Sequence, residues 1–560
     1  MRALSVRASL GSLASAPGAL LLAGGALLGA PEARAQAWLT PPVAPVENPV
    51  TAEKAALGKI LFWDEQLSTD GSIACGTCHV PTVGGSDPRT GPEIMNPGPD
   101  GIFGTADDSI GSPGVLRANG FGHLEPDDRF GFRPQVTGRY SPSAITGAYF
   151  DELFWDGRAG GKFVDPTSGQ IVIASGGALE TQSLGPLLSN VEMADDGRGF
   201  DEVTDRLERV RPLALATNLP ADSQAALSAD PTYPDLFETA FGTPEITPVR
   251  IAFALATYQR TLVPDQTPWD DYQRGNTGAL SPAQLRGMNA FNSTAICAVC
   301  HTPPLFSNGD YHGLALRPSS EDPGRFAISG DPVDLGAFKT PSLRNVELRG
   351  HWFHNGAPQI TDLRGTVAIY GTGVGGGFDG LDPVLNGLVI SDQDIDDVTE
   401  FMRALTDPRV AAGTFPFDRP TLRFERSGGA RNPEPLGVGA VTGTGGEAPA
   451  ALIAASPFFG ADEFRIGLDA PVGGSVAAMR LRLLDAGALG GPLAVRGLGL
   501  PLGPLPVATS SNGRGYATWR FPLTQTPAMV GLRFDAQWWL RDVQAPGGVA
   551  RSEQLRFTVE

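Results

Sequence analysis

All four cysteines of this 560-residue chain fall in two copies of one motif, Cys75-Gly76-Thr77-Cys78-His79 and Cys297-Ala298-Val299-Cys300-His301. No other feature limits the fold as tightly. A C-x-x-C-H run is the attachment signature of c-type haem: two thiols add to the porphyrin vinyl groups, and the adjacent histidine reaches the iron as axial ligand. Zinc would want both C-x-x-C pairs inside one small module. A thioredoxin-like dithiol needs one pair and has no use for a trailing histidine twice. A disulfide framework leaves the repeated spacing unexplained. The sequence therefore predicts two covalent haem c groups on Cys75, Cys78, Cys297 and Cys300, with His79 and His301 as iron ligands.

The N-terminus reads as an export signal over residues 1–35. Arg2 and Arg7 precede an apolar stretch from Leu10 to Ala30, which ends in the small-x-small pattern Ala33-Arg34-Ala35. Gly11, Pro17, Gly24 and Gly25 interrupt that stretch and argue against a membrane anchor. The expected location is the periplasm or the medium, with no membrane span in the mature chain. A formal net charge of −19 excludes binders of nucleic acid or anionic membrane, which need a basic face.

Along the chain, a short helix is expected over 51–62, followed by the first haem motif and a Gly/Pro/Asp-rich stretch at 82–138. Within it, Asp100 to Asp108 reads either as a carboxylate calcium loop or as a solvated acidic turn, without EF-hand spacing. Thr247-Pro248 and Ser281-Pro282 open helices by N-cap logic, and Ser391-x-x-Asp394 reads as a capping box. Beyond 428 the composition turns to Gly, Ala and Pro, as in a linker. Strand-like runs follow at Phe464–Leu468, Met479–Leu484, Tyr516–Pro522, Val530–Leu540 and Gln554–Val559, as in a small β-sandwich.

From about residue 51 to 407 the chain resembles the bacterial dihaem cytochrome c peroxidase family, which includes the MauG-type protein-oxidising enzymes. The segments that carry the likeness are Leu57–Phe62, Leu67–Cys75, Phe154-Trp-Asp-Gly-Arg158, Leu184–Leu188 with Val191-Glu-Met193, and Phe338–Asn345. The resemblance implies a mainly α fold of two cytochrome c-like haem domains, here followed by the small all-β, sandwich-like domain. The expected divisions are 1–35 signal, 36–264 N-terminal haem domain, 265–427 C-terminal haem domain, 428–449 linker and 450–560 β-module.

The same likeness assigns roles. Peroxide is expected at the N-terminal haem, with Gln182 and Glu192 lining its distal pocket and Pro186 between them. Glu192 would shuttle the proton that O–O cleavage requires. Trp155 matches the tryptophan between the haems. Tyr370 falls where most members place a methionine ligand to the second haem and MauG-type enzymes a tyrosine. The distal histidine that closes the first haem in typical members has no counterpart near Phe132. His123 lies nine residues upstream, so an open, five-coordinate iron is expected. The family's interhaem calcium is in doubt, because its asparagine position is Tyr140; its carbonyl positions are Arg349 and His351. His354 reads as a donor near the second haem, not as a ligand.

The function these features imply is peroxide reduction, with electrons from a small cytochrome c, another redox protein or a protein substrate. A non-catalytic dihaem electron carrier and a dihaem oxygenase are the alternatives. Gln182 and Glu192 discriminate, since a relay needs no acid–base pair over an open iron.

Overall fold

A computed structural model describes residues 39–372, 374, 377–425, 434–453, 457–458, 464–484, 500–521 and 530–559. The export segment at 1–35 and the first linker residues lie outside them. Residues Trp38–Glu560 form one compact unit.

Helices build the part that carries the haem motifs. Helix α1, Ala52–Trp63, is capped by Thr51, whose hydroxyl accepts from Lys54 N. Helix α2 is Ala178–Leu188, and α3 is Pro248–Thr261, opened by Thr247 as the sequence predicts. These enclose an apolar core that includes Leu57, Ile60, Leu61, Trp63, Phe237, Ile251 and Leu255. Helix α4, Pro282–Asn292, leads to the second motif, and α5, Leu363–Thr372, and α6, Asp392–Arg403, complete a second core around Trp269, Phe291, Phe306 and Phe401. Each fully buried aromatic or aliphatic side chain contributes about 1.5–3 kcal/mol, so both cores can hold large cavities open.

The C-terminal region is antiparallel sheet. One sheet runs Ala450–Ile453, Phe464–Ala470, Gly515–Phe521, Ala508–Thr509 in spatial order. The other runs Leu500–Pro506, Val476–Leu483, Arg533–Arg541, Leu555–Thr558, Glu434–Pro435, with Val549–Arg551 also paired to Arg533–Arg541. Residues of both share one apolar core: the Phe464 ring packs at a tilt 4.5 Å from that of Phe557, and Trp538 Nε1 donates to Gly467 O at 2.8 Å. Part of the expected linker belongs to this sheet, since Glu434 and Pro435 pair with Arg556 and Leu555 and Val441 bridges to Arg551. A proline is tolerated there because an edge strand leaves one side unpaired.

Candidate functional site: two cavities sharing a wall

Each C-x-x-C-H motif opens onto a cavity. Cys75–Cys78 forms a single helical turn in which Ala74 N donates to Thr77 Oγ1. Cys75, Cys78 and His79 line a cavity of about 500 Å³. Cys297, Cys300 and His301 line a second, of about 170 Å³. None of the four cysteines pairs in a disulfide. Burial pushes Cys75, Cys78 and Cys297 up to about 12.

The histidines fit an iron-bound role. His79 Nδ1 donates to Gly85 O at 3.1 Å, and His301 Nδ1 to Phe306 O at 3.0 Å. A carbonyl only accepts, so each ring keeps its lone pair on Nε2, the tautomer a metal needs. Burial holds both imidazoles neutral, His301 down to about 4.

The predicted distal residues meet in the first cavity. Gln182 and Pro186 stand four residues apart on one face of α2, and both line it. Glu192 follows on a turn held by Glu192 N and Met193 N, which donate to Ser189 O. Burial raises the Glu192 carboxyl above the usual carboxylate range, with Ser189 and Arg158 pulling the other way. Gly114 lies directly behind: a Cβ there would sit 2.1 Å from Val191 O, so only glycine lets this strand reach the Glu192 turn.

Trp155, Lys339, Pro341 and Ser342 line both cavities. The Trp155 loop is a tight one, with Phe154 at φ 67° and Gly157 at φ 75°. A Cβ on Gly157 would fall 1.8 Å from the Tyr311 hydroxyl. Trp155 Nε1 donates to Tyr140 O at 2.8 Å, and Lys339 N to Trp155 O at 2.8 Å. Arg139 joins the two sides, pairing at 2.6 Å with both Asp156 and Asp322.

Tyr370, on α5, lines the second cavity with His301. Burial and the nearby Cys297 and Cys300 sulfurs raise its phenol above the ordinary value. Met402, His312 and His354 line the same space. His312 Nδ1 is held by Asp382 at 2.6 Å, and His354 stacks on Phe338 at 3.5 Å.

His123 reaches neither cavity. It stands near Arg465 and Arg520 of the C-terminal strands, and among the described residues His79 is the sole histidine lining the first cavity. Nor do the expected calcium positions converge as a carboxylate site. Asp107 and Asp108 accept from Asp100 N and Gly104 N, and no group of three or more His, Cys, Asp or Glu is arranged for a metal among the described residues. At the interhaem position, Arg349 donates to Ser141 O and His351 O and lies over the Tyr140 ring.

Sequence reasoning missed Lys339 as part of the site, and of Arg349 it singled out only the carbonyl, not the side chain. Lys339 donates from Nζ to Glu152 O at 2.8 Å, and burial lowers its amine to about 8, opposed by Glu152 and Asp156. One signal for it was present: lysine occurs at only four positions in the chain.

Residues 52–278 match the family model for di-haem cytochrome c peroxidase. A methylamine utilization protein MauG of Methylorubrum extorquens is 30% identical over 328 residues, covering 58% of this chain and 70% of that protein. The chain belongs to the dihaem cytochrome c peroxidase family. Cytochrome c551 peroxidase of Nitrosomonas europaea is 26% identical over 321 residues, 56% of this chain and 73% of that protein. A solved MauG-like protein associated with microbial copper homeostasis aligns with TM-score 0.48 and 23% identity, over 69% of this chain and 98% of that one. This dihaem peroxidase is thus an oxidoreductase acting on peroxide, and the family implies haem c and a redox partner. Among the described residues, no helix is long and apolar enough to cross a membrane.

Proposed function

We propose that hydrogen peroxide is reduced in the His79 cavity, with electrons entering through the His301 cavity by way of Trp155. The observation that carries this reading is the convergence of Gln182, Pro186 and Glu192 on the cavity that holds His79. When bound, each haem supplies an iron that exchanges electrons and, at an open coordination position, takes an oxygen ligand.

The chain's own residues do the rest. Reducing hydrogen peroxide consumes two electrons and two protons, breaks the O–O bond and releases two waters. Glu192 accepts the proton of the inner oxygen and returns it to the outer one, which then leaves as water. Its environment fits that role, because desolvation raises its pKa and makes it a stronger proton acceptor than an exposed carboxylate. The Gln182 amide orients the peroxide. Cys75 and Cys78 would tether one haem and Cys297 and Cys300 the other, with His79, His301 and Tyr370 as the residues that would hold the irons.

A tyrosine ligand is hard and anionic, which favours oxidised iron and a MauG-like storage of two oxidising equivalents. The donor is then a small cytochrome c or the side chains of a protein substrate. The two haem motifs define cytochrome c-like domains at 36–264 and 265–427, and the two C-terminal sheets pack as a sandwich module that takes in Glu434 and Pro435 of the expected linker as well as the expected 450–560 region. Export through the 1–35 segment places the enzyme in the periplasm or outside the cell.

The test is an absorption and EPR titration of the purified, haem-loaded protein with hydrogen peroxide. One equivalent per chain should alter both haem spectra without prior reduction. Spectra that stay unchanged would mark a pure electron carrier, and a response to oxygen instead of peroxide would mark an oxygenase.

A further inference from the structure

The C-terminal sheets touch the helical part at a place the proposed chemistry depends on. Strand Pro113–Leu116 pairs with Pro134–Val136, and Ser112 to Gly114 and Thr137 to Tyr140 line the His79 cavity. Between these strands, residues 117–133 run out from the cavity wall to the C-terminal module. Leu124 N donates to Thr518 Oγ1 at 2.8 Å in a buried bond. Leu124 packs so closely on Gly467 that a Cβ there would lie 2.5 Å from it, and Phe132 meets Tyr516 edge-on at 6.3 Å.

A second tie reaches the Glu192 turn itself. Arg465 pairs with Asp195 at 2.6 Å, and the two side chains are only 6% and 11% exposed. Asp195 N donates to Thr69 Oγ1, and Thr69 N to Met193 O. Val115 N donates to Glu192 O and Asp196 N to Ala118 O, which joins this turn to the base of the 117–133 excursion. Both grips of the module therefore end on the segments that carry and back Glu192. A buried ion pair is a poor way to gain stability against a well-packed apolar contact, but it fixes geometry, and losing one partner leaves the other uncompensated.

Resting on the reading of Glu192 given above, we propose that the C-terminal module is a positioning element of the peroxide site, and that Arg465, through Asp195, and Thr518, through Leu124, hold the Glu192 turn in register with the cavity. Arg465 is a positioning residue, not a catalytic one. It acts on where the carboxylate sits, and displacements of about 1 Å in a reacting constellation can cost about a hundredfold in rate.

The experiment uses the full haem-loaded chain carrying Arg465→Met, Arg465→Lys or Thr518→Val. Peptide-resolved hydrogen exchange is read over 114–118 and 189–196, beside the second-order rate with hydrogen peroxide and the spectrum and potential of the His301 haem. Arg465→Met should speed exchange in both segments about tenfold and slow the peroxide rate about tenfold, with the His301 haem unchanged. Arg465→Lys, which keeps the charge, should recover part of both. Wild-type exchange and rate in Arg465→Met overturn the proposal. So does faster exchange confined to the C-terminal strands with the rate intact, since the module would then be attached without positioning anything. If Arg465→Met does not fold, Thr518→Val decides, and an unaltered rate and unaltered exchange at 114–118 reject the idea. Should Glu192→Gln retain its rate, the proton-shuttle reading falls by itself, and exchange at 189–196 in the Arg465 variants still reports on the grip.

Discussion

The main-chain nitrogen of Lys339 donates to the carbonyl oxygen of Trp155 across 2.8 Å, and both residues line both cavities. Trp155 is thus held at its main chain and at its indole, whose Nε1 donates to Tyr140 O. Replacing Trp155 by Phe keeps the packing and removes both the indole hydrogen bond and the more readily oxidised ring. Electron transfer between the haems should slow by at least about tenfold, read by stopped-flow absorption, with peroxide binding at the first haem little changed.

Glu192→Gln should lower peroxide turnover by about 10²–10⁴-fold while both haems stay attached, which mass spectrometry and steady-state kinetics together can read. In the wild type the rate should rise with pH through the raised pKa of Glu192, because the ionised form is the acceptor. The variant should lose that limb of the profile.

Tyr370→Met should raise the reduction potential of the His301 haem and shorten the lifetime of the oxidised state formed with peroxide. Spectroelectrochemistry measures the first and stopped-flow the second. A wild-type spectrum already carrying a thioether-to-iron band would assign the ligand to Met402, which lines the same cavity, instead of Tyr370.

Chelation of calcium should leave the haem spectra and the peroxide rate unchanged, because Arg349 already places a cation against Ser141 O and His351 O. Arg349→Leu should perturb both haem spectra. A loss of activity on chelation, restored by calcium, would reverse this reading.

A separate titration concerns stability. Glu65 is 2% exposed, its Oε2 accepts from Arg423 N at 2.8 Å, and burial raises its carboxyl to about 8. With the folded pKa above the unfolded one, the neutral form is favoured by folding. The stability it contributes is complete below about 4.5 and is lost as pH rises through about 8. Glu65→Gln should flatten that decline by on the order of a few kcal/mol in denaturant titrations across this window.

Local chemistry was legible from residues alone. Thr247, Ser281 and Ser391 cap their helices with the hydroxyl-to-N3 bonds their spacing implies. Gln182 and Glu192, which line the cavity of His79, are singled out by the family resemblance and not by residue type. The edge strand Leu500–Pro506 was not legible, because three prolines in seven residues read as loop until a neighbouring strand supplies the pairing. The side-chain roles of Arg349 and Arg465 were equally silent, although the resemblance singles out Arg349 for its carbonyl. Each acts on a segment far away in sequence, and an arginine's partner across such a distance has no local signature.

Gly157 sets one last constraint. The Tyr311 hydroxyl occupies the space where any other residue would carry its first side-chain carbon, and the backbone there is left-handed. A methyl group would therefore push the Phe154–Arg158 loop off the strand that holds Lys339, carrying the indole with it. Electron tunnelling weakens exponentially with gap width, so on the proposed route through Trp155 even Gly157→Ala, at a residue lining neither cavity, would act as a throttle on the current between the two halves of the enzyme.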